Sequence, residues 1–204
     1  MQKAIGYGRS KKRLTTVTLV KISILSVIAF LLMMLEFPIP LFPNFLKVDL
    51  SDVPALIGGF AIGPVAGVII QLIKVFLFFI TRTDTGGVGE LANFIIGASY
   101  VLPAALIYHI KKDKKHAVMG AITGTLSMCF FGALANLYIL IPFYSNFMPI
   151  DVIVEMGTVV NSNIVDVPSL VLYAITPFNF IKGSIITLVT LMIYKKISPI
   201  LKNR

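Results

Sequence analysis

Long apolar runs, broken at intervals by short clusters of charge, proline and glycine, set the plan of this chain. About 20 predominantly apolar residues are needed to cross a hydrocarbon core about 30 Å thick. By that rule helices are predicted over about 14–36, 52–63, 64–80, 90–110, 117–142 and 171–197. The second is short: at about 1.5 Å per residue it reaches only part of the way across, as a broken or re-entrant piece does. Asp52 followed by Pro54 reads as its start. The loops 38–51 and 81–89 must share a side, so 52–80 crosses an even number of times, and two crossings is the simpler choice. The pattern predicts an all-α membrane protein, a six-helix transmembrane bundle forming one domain over 1–204.

Charge orients that bundle, because cytoplasmic ends of membrane helices carry excess Lys and Arg. With the N-terminus inside, fourteen of the eighteen basic residues fall on the inner side: Lys3, Arg9, Lys11, Lys12, Arg13, Lys21, Lys111, Lys112, Lys114, Lys115, Lys195, Lys196, Lys202 and Arg204. Lys47 and Arg82 are outside, and Lys74 and Lys182 fall within apolar segments. Acids run the other way, with Asp113 alone inside. Both termini are therefore expected in the cytoplasm, and the first helix is read as an uncleaved span, since no small-residue cleavage pattern follows Glu36. Composition agrees: 57% of residues are hydrophobic, 13% are charged, and mean hydropathy is +0.91. The net charge of +9 belongs to helix flanks, which argues against nucleic acid as a partner.

The polar residues left inside the apolar segments are few. Gln71 and Lys74 share a face of the third, Asn93 opens the fourth, Asn136 lies in the fifth, and Asn179 and Lys182 lie in the sixth. A lysine at the centre of a membrane helix costs roughly 2.5 to 3.5 kcal/mol, so a chain that keeps one usually has a partner or ligand for it. Residues at i and i+3 share a face, so Asn179 and Lys182 reach one cavity from one side. Any one asparagine alone serves equally as interhelical glue. Collected within one or two turns of the outer helix ends, Asn93, Asn136 and Asn179 suit a flat heteroaromatic ligand, with Phe94, Tyr138, Phe178 and Phe180 as apolar faces. The proline-rich stretch Phe37 to Pro43 is a candidate lid.

Catalytic and metal chemistry find little support. No P-loop, H-E-x-x-H or G-x-S-x-G motif occurs, so the chain reads as a non-enzyme, and ATP, if it powers anything here, must be hydrolysed by another subunit. Glu36, Asp49, Asp52 and Glu90 lie at segment ends, where solvated caps are the simpler reading than a metal site. His109 and His116 flank the basic inner loop and read as part of its solvated face, and Cys129 reads as a small buried hydrophobe.

Five ordered blocks go further: Phe42-Pro43-Asn44 through Lys47-Val48-Asp49 to Asp52-Val53-Pro54, Gly63-Pro64-Val65-Ala66-Gly67, Gly89-Glu90-Leu91-Ala92-Asn93-Phe94, Asn136-Leu137-Tyr138, and Pro177-Phe178-Asn179-Phe180-Ile181-Lys182-Gly183. From about Lys21 to Lys196 the chain resembles the riboflavin-binding S components of energy-coupling factor (ECF) vitamin transporters. The resemblance implies a riboflavin pocket near the outer face, closed by the loop between helices one and two, in a bacterial plasma-membrane protein. It implies as partners a transmembrane coupling protein and two ABC-type ATPases, with riboflavin as transported ligand and no cofactor. It implies that Asn136, Asn179 and Lys182 hydrogen-bond the isoalloxazine ring, with Asn93 and the loop around Asp49 completing pocket or lid. Small residues on helix one would meet the coupling protein; here the candidates are Ser23, Ser26 and Ala29, without the strict spacing of relatives. Lys74 is followed by Val75 where relatives commonly carry asparagine, and the loop 143–168 is expected to add a short helix. The competing readings are an S component for thiamine or folate, and a membrane anchor or enzyme with structurally packed Asn and Lys.

Overall fold

The computed structural model describes residues 15–83 and 85–202. Lys3, Arg9, Lys11, Lys12, Arg13, Arg204 and Asp84, on which part of the charge argument rests, lie outside the described residues, as do both chain ends and the side chains of Lys195 and Lys202. In chain order the elements are α1 (Thr16–Met33), β1 (Phe37–Pro38), β2 (Lys47–Val48), α2 (Asp52–Ala61), α3 (Pro64–Arg82) and α4 (Val88–Lys111). After these, α5 (Lys114–Ala135) passes through a π-helical turn at Asn136–Leu140 into α6 (Ile141–Tyr144), and α7 (Ile150–Thr158) lies in the long outer connection. Finally α8 (Val167–Leu170) passes through a second π turn at Val171–Ile175 into α9 (Thr176–Lys202).

Each π turn stands just ahead of a proline. Pro142 and Pro177 have no N–H, so the carbonyls of Tyr138 and Tyr173, four residues earlier, lose their α-helical donors. The wider turn is the local answer, and such turns recur at functional sites. Thr176 adds a side-chain bond, its Oγ1 donating to the Val171 carbonyl at 2.8 Å.

Among the described residues five units are long and apolar enough to cross a membrane: Thr16–Met33, Pro64–Arg82, Val88–Lys111, Lys114–Tyr144 and Val167–Tyr194. The sixth expected span, α2, has ten residues and so about 15 Å of length. Its depth follows from its partners. Asp52, its first residue, bonds Gln71 and Lys74, which sit about 10 to 15 Å along α3 from Pro64, roughly half-way up that helix. At the other end Gly59 offers its carbonyl to His109 near the inner end of α4, at 3.0 Å. In the orientation that the charge pattern predicts, the loop 34–51 therefore descends from the outer face to mid-depth, and α2 covers only the inner half of the crossing. This is why α2 is buried over nearly its whole length.

Small residues let the long helices close on one another. Gly120 and Gly124 of α5 press on the α4 backbone, and a Cβ at Gly124 would stand 2.6 Å from the Tyr100 carbonyl. Hydroxyl pairs tie α4 to α9: Tyr108 to Tyr194 at 2.7 Å and Tyr100 to Thr187 at 2.9 Å. The short inner turn between α4 and α5 places Lys112 in the left-handed region (φ 54°) and lets Asp113 cap α5. The backbone N–H and ring of His116 both bond that carboxylate, which holds Asp113 below the ordinary carboxylate range.

Three expectations are corrected here. His109 is half-buried with a backbone partner, so it is not part of a solvated face. Cys129 is half-buried, its Sγ 3.8 Å from the Thr176 carbonyl. On α1, Ser26 and Ala29 are fully buried inside the bundle while Ser23 is exposed, so of the three proposed partner contacts only Ser23 faces outward.

Lys112 in the α4–α5 turn and Asp151 on α7 are both exposed. With Cys129→Ser as background, a membrane-impermeant maleimide on intact cells is expected to label Asp151→Cys at once and Lys112→Cys only after permeabilisation. Equal labelling of both on intact cells would overturn the orientation.

Candidate functional site

The loop 34–51 folds back on itself through the Phe37↔Val48 and Pro38↔Lys47 antiparallel pairs, and the Glu36–Lys47 ion pair at 2.6 Å closes its outer end. Its apolar side chains dock on α9: Phe42 meets Phe178 edge to face at 5.4 Å, and Val48 joins the same cluster. The deep end of the loop carries Asp49 and Ser51 and leads into Asp52. There the chain brings two carboxylates to two ammonium groups, all of them buried.

Lys74 Nζ donates to Asp52 Oδ1 and to Ser51 Oγ, each at 2.6 Å, and Gln71 Nε2 donates to the same Asp52 oxygen at 2.8 Å. Lys182 Nζ donates to Asp49 Oδ2 at 2.9 Å and stands 3.7 Å from Asp52 Oδ2. The other Asp49 oxygen accepts the Ser51 backbone N–H at 2.7 Å. Two aspartates on the loop and α2 thus face one lysine on α3 and one on α9. Breaking such a pair inside an apolar bundle is costly because the survivor is left uncompensated. The expectation that Asp49, Asp52 and Glu90 are solvated caps is therefore corrected: all three are buried. Lys74, whose partner the sequence left open, belongs to this cluster.

Above the cluster lies a cavity of about 410 Å³, within the span of small-molecule sites of about 300–1,000 Å³. Asn93, Asn136, Asn179 and Lys182 line it, so the structure brings together four of the five expected binding residues. Asp49 stands behind Lys182 and holds it. Asn136 Nδ2 donates to the Gly132 carbonyl at 2.8 Å, leaving its amide oxygen toward other partners. Asn179 Nδ2 and Asn93 Oδ1 are buried and have no hydrogen-bond partner among the described residues. One is a donor and the other an acceptor, the pair of edges that a planar heterocycle with alternating N–H and C=O groups satisfies. Gly132 makes this possible, since a Cβ there would stand 2.6 Å from Asn179 Nδ2.

The aromatic expectation holds only in part. Phe178 lines the cavity, whereas Tyr138 and Phe180 are exposed on the outside of the bundle, and Phe94 lies along a lateral groove between α3 and α4. Apolar cover comes instead from Met33, Phe45 and Leu46, and from Ile153 and Met156 on α7. The added short helix in the outer loop is thus part of the cavity wall. Glu90, expected as a solvated cap, and Thr85, which the sequence did not single out, also border the cavity. The signal that could have placed Glu90 in the cavity is its spacing, one turn before Asn93 on the same helix face.

These positions can be set beside known proteins. The family model described as the ECF transporter substrate-specific component matches residues 17–194. The riboflavin transporter RibU of Staphylococcus aureus is 37% identical over 185 residues, covering 91% of this chain and 92% of that one. The riboflavin transporter FmnP of Bacillus subtilis is 36% identical over 183 residues, covering 89% and 92%. Among solved structures, one described as the S component of a bacterial ECF transporter superposes with a TM-score of 0.72 at 36% identity, over 91% of this chain and 98% of that one. ThiT of Listeria monocytogenes superposes at 0.57 with 13% identity, over 91% and 97%, a likeness of fold alone.

Proposed function

This chain belongs to the family of ECF transporter substrate-specific components, and from that premise we propose that it captures riboflavin at the outer face of the bacterial plasma membrane. The observation that carries the ligand is the match between chemistry and kinship. A cavity of suitable size presents unpartnered amide edges and a lysine, in a chain 36–37% identical to two riboflavin transporters. The flavin pyrimidine edge alternates C=O acceptors with N–H. Asn136, Asn179 and Lys182 are the proposed partners of that edge, with Asn93 beside them. Asp49 acts through Lys182 by fixing its ammonium. Phe178 and the side chains of loop and α7 cover the ring.

Uptake then needs capture followed by reorientation, with no covalent step in this chain. Riboflavin enters from outside, the loop 34–51 closes over it, and a membrane-embedded coupling protein driven by two ABC-type ATPases tips the bundle so that the cavity empties inward. The exposed face of α1 around Ser23 is the proposed contact with the coupling protein.

Purified protein titrated with riboflavin is expected to quench flavin fluorescence with one-to-one stoichiometry, and thiamine in excess is expected not to compete. Absence of quenching at micromolar flavin would sink the substrate assignment, and displacement by thiamine would redirect it.

A further inference from the structure

Of the charged side chains that line the cavity, Glu36 is paired with Lys47 and Lys182 with Asp49. Glu90 differs. It is only 4% exposed, and among the described residues no cation pairs with it. Its Oε2 accepts from Thr85 Oγ1 at 2.8 Å, and Thr85 Oγ1 accepts in turn from the Gly89 backbone N–H at 2.9 Å. As third residue of α4 it stands at the positive end of the helix, which favours the anion without a cationic neighbour. Tyr144 lines the same part of the cavity, packed on the Val88–Leu140 cluster. The cavity therefore has two unlike ends. Amides and the paired lysine lie deeper, while a lone carboxylate with a hydroxyl and a phenol lies toward the outer rim.

We propose that Glu90 is a specificity-determining residue that reads the hydroxyl chain of the ligand and excludes a ligand carrying a phosphate at that end. This rests on the riboflavin reading above. A carboxylate accepts hydrogen bonds from a polyol and offers nothing to a phosphate, which at pH 7 carries about −1.5 to −2 charges and no comparable donor. Burial keeps the repulsion from being screened by salt. Lys47 does not offset it, because its ammonium is held by Glu36 at 2.6 Å.

The test compares riboflavin with riboflavin 5′-phosphate by fluorescence quenching at pH 7.5, on the wild type, Glu90→Gln and Glu90→Asp. The wild type is expected to prefer riboflavin by at least about tenfold, the scale on which buried like charges discriminate partners. Glu90→Gln is expected to shrink that ratio by about tenfold while weakening riboflavin itself less, and Glu90→Asp to keep most of the discrimination. Equal wild-type affinity for the two flavins overturns the proposal without reference to any variant, as does an unchanged ratio in Glu90→Gln. A wild type that binds neither flavin removes the riboflavin reading and this proposal with it, whereas normal riboflavin binding with no phosphate discrimination removes this proposal alone.

Discussion

Lys74→Met is expected to destabilise the protein by about 3 to 5 kcal/mol, the range measured when one member of a buried ion pair is removed. The size follows from what remains. Asp52 would keep one bond from Gln71 and a 3.7 Å approach from Lys182, inside a cluster with almost no exposure. Ser51 Oγ would lose the bond it accepts from Lys74 as well. The measurement is thermal unfolding in detergent followed by retention of the monodisperse peak. A change within about 0.5 kcal/mol, as at an unremarkable surface site, would show that the pair contributes nothing. The double variant Lys74→Met with Asp52→Leu separates charge from packing: removing both partners is expected to recover part of the loss.

Lys182→Met is expected to weaken riboflavin binding by about 1 to 3 kcal/mol, roughly five- to 150-fold in Kd. Two effects add: the ligand loses a charged donor, and Asp49, buried at the foot of the loop, loses the ammonium that holds it at 2.9 Å. Asn179→Ala separates them, because its amide N–H has no partner to lose among the described residues. That variant is expected to lose affinity over a similar range with little change in melting temperature, whereas Lys182→Met changes both. Wild-type affinity in both variants would return the pair to a packing role, with the ligand held elsewhere in the cavity.

How far the sequence led depends on the range of the interaction. Apolar length located the long helices to within a few residues, because spanning a hydrocarbon layer is a local requirement; α2 begins at the expected Asp52 because Asp and Pro mark a helix start locally. The amide layer was legible for a related reason, since Asn93, Asn136, Asn179 and Lys182 are conspicuous against apolar neighbours. The aspartates were not. A carboxylate at the end of an apolar run looks the same whether it meets water or a lysine 133 residues away, as Asp49 does. Aromatic direction failed for another reason. In a bundle surrounded by lipid the outer and inner faces are both apolar, so Phe178 and Phe180 differ in exposure, 4% against 52%, without differing in pattern. The π turns left a trace, in Pro142 and Pro177, that shows where a helix must adjust without showing how.

The descent of the loop 34–51 to mid-depth has a consequence for water. Drawing that loop outward would separate Asp49 from Lys182, half-way through an apolar layer, and leave the ammonium only the 3.7 Å approach of Asp52, a carboxylate already bonded by Lys74. A hydrated path from the outer surface supplies the partners that both Asp49 and Lys182 give up. Uncovering the cavity and flooding it to the middle of the membrane are therefore one event, and each ligand that enters displaces a column of solvent that the closing loop must expel.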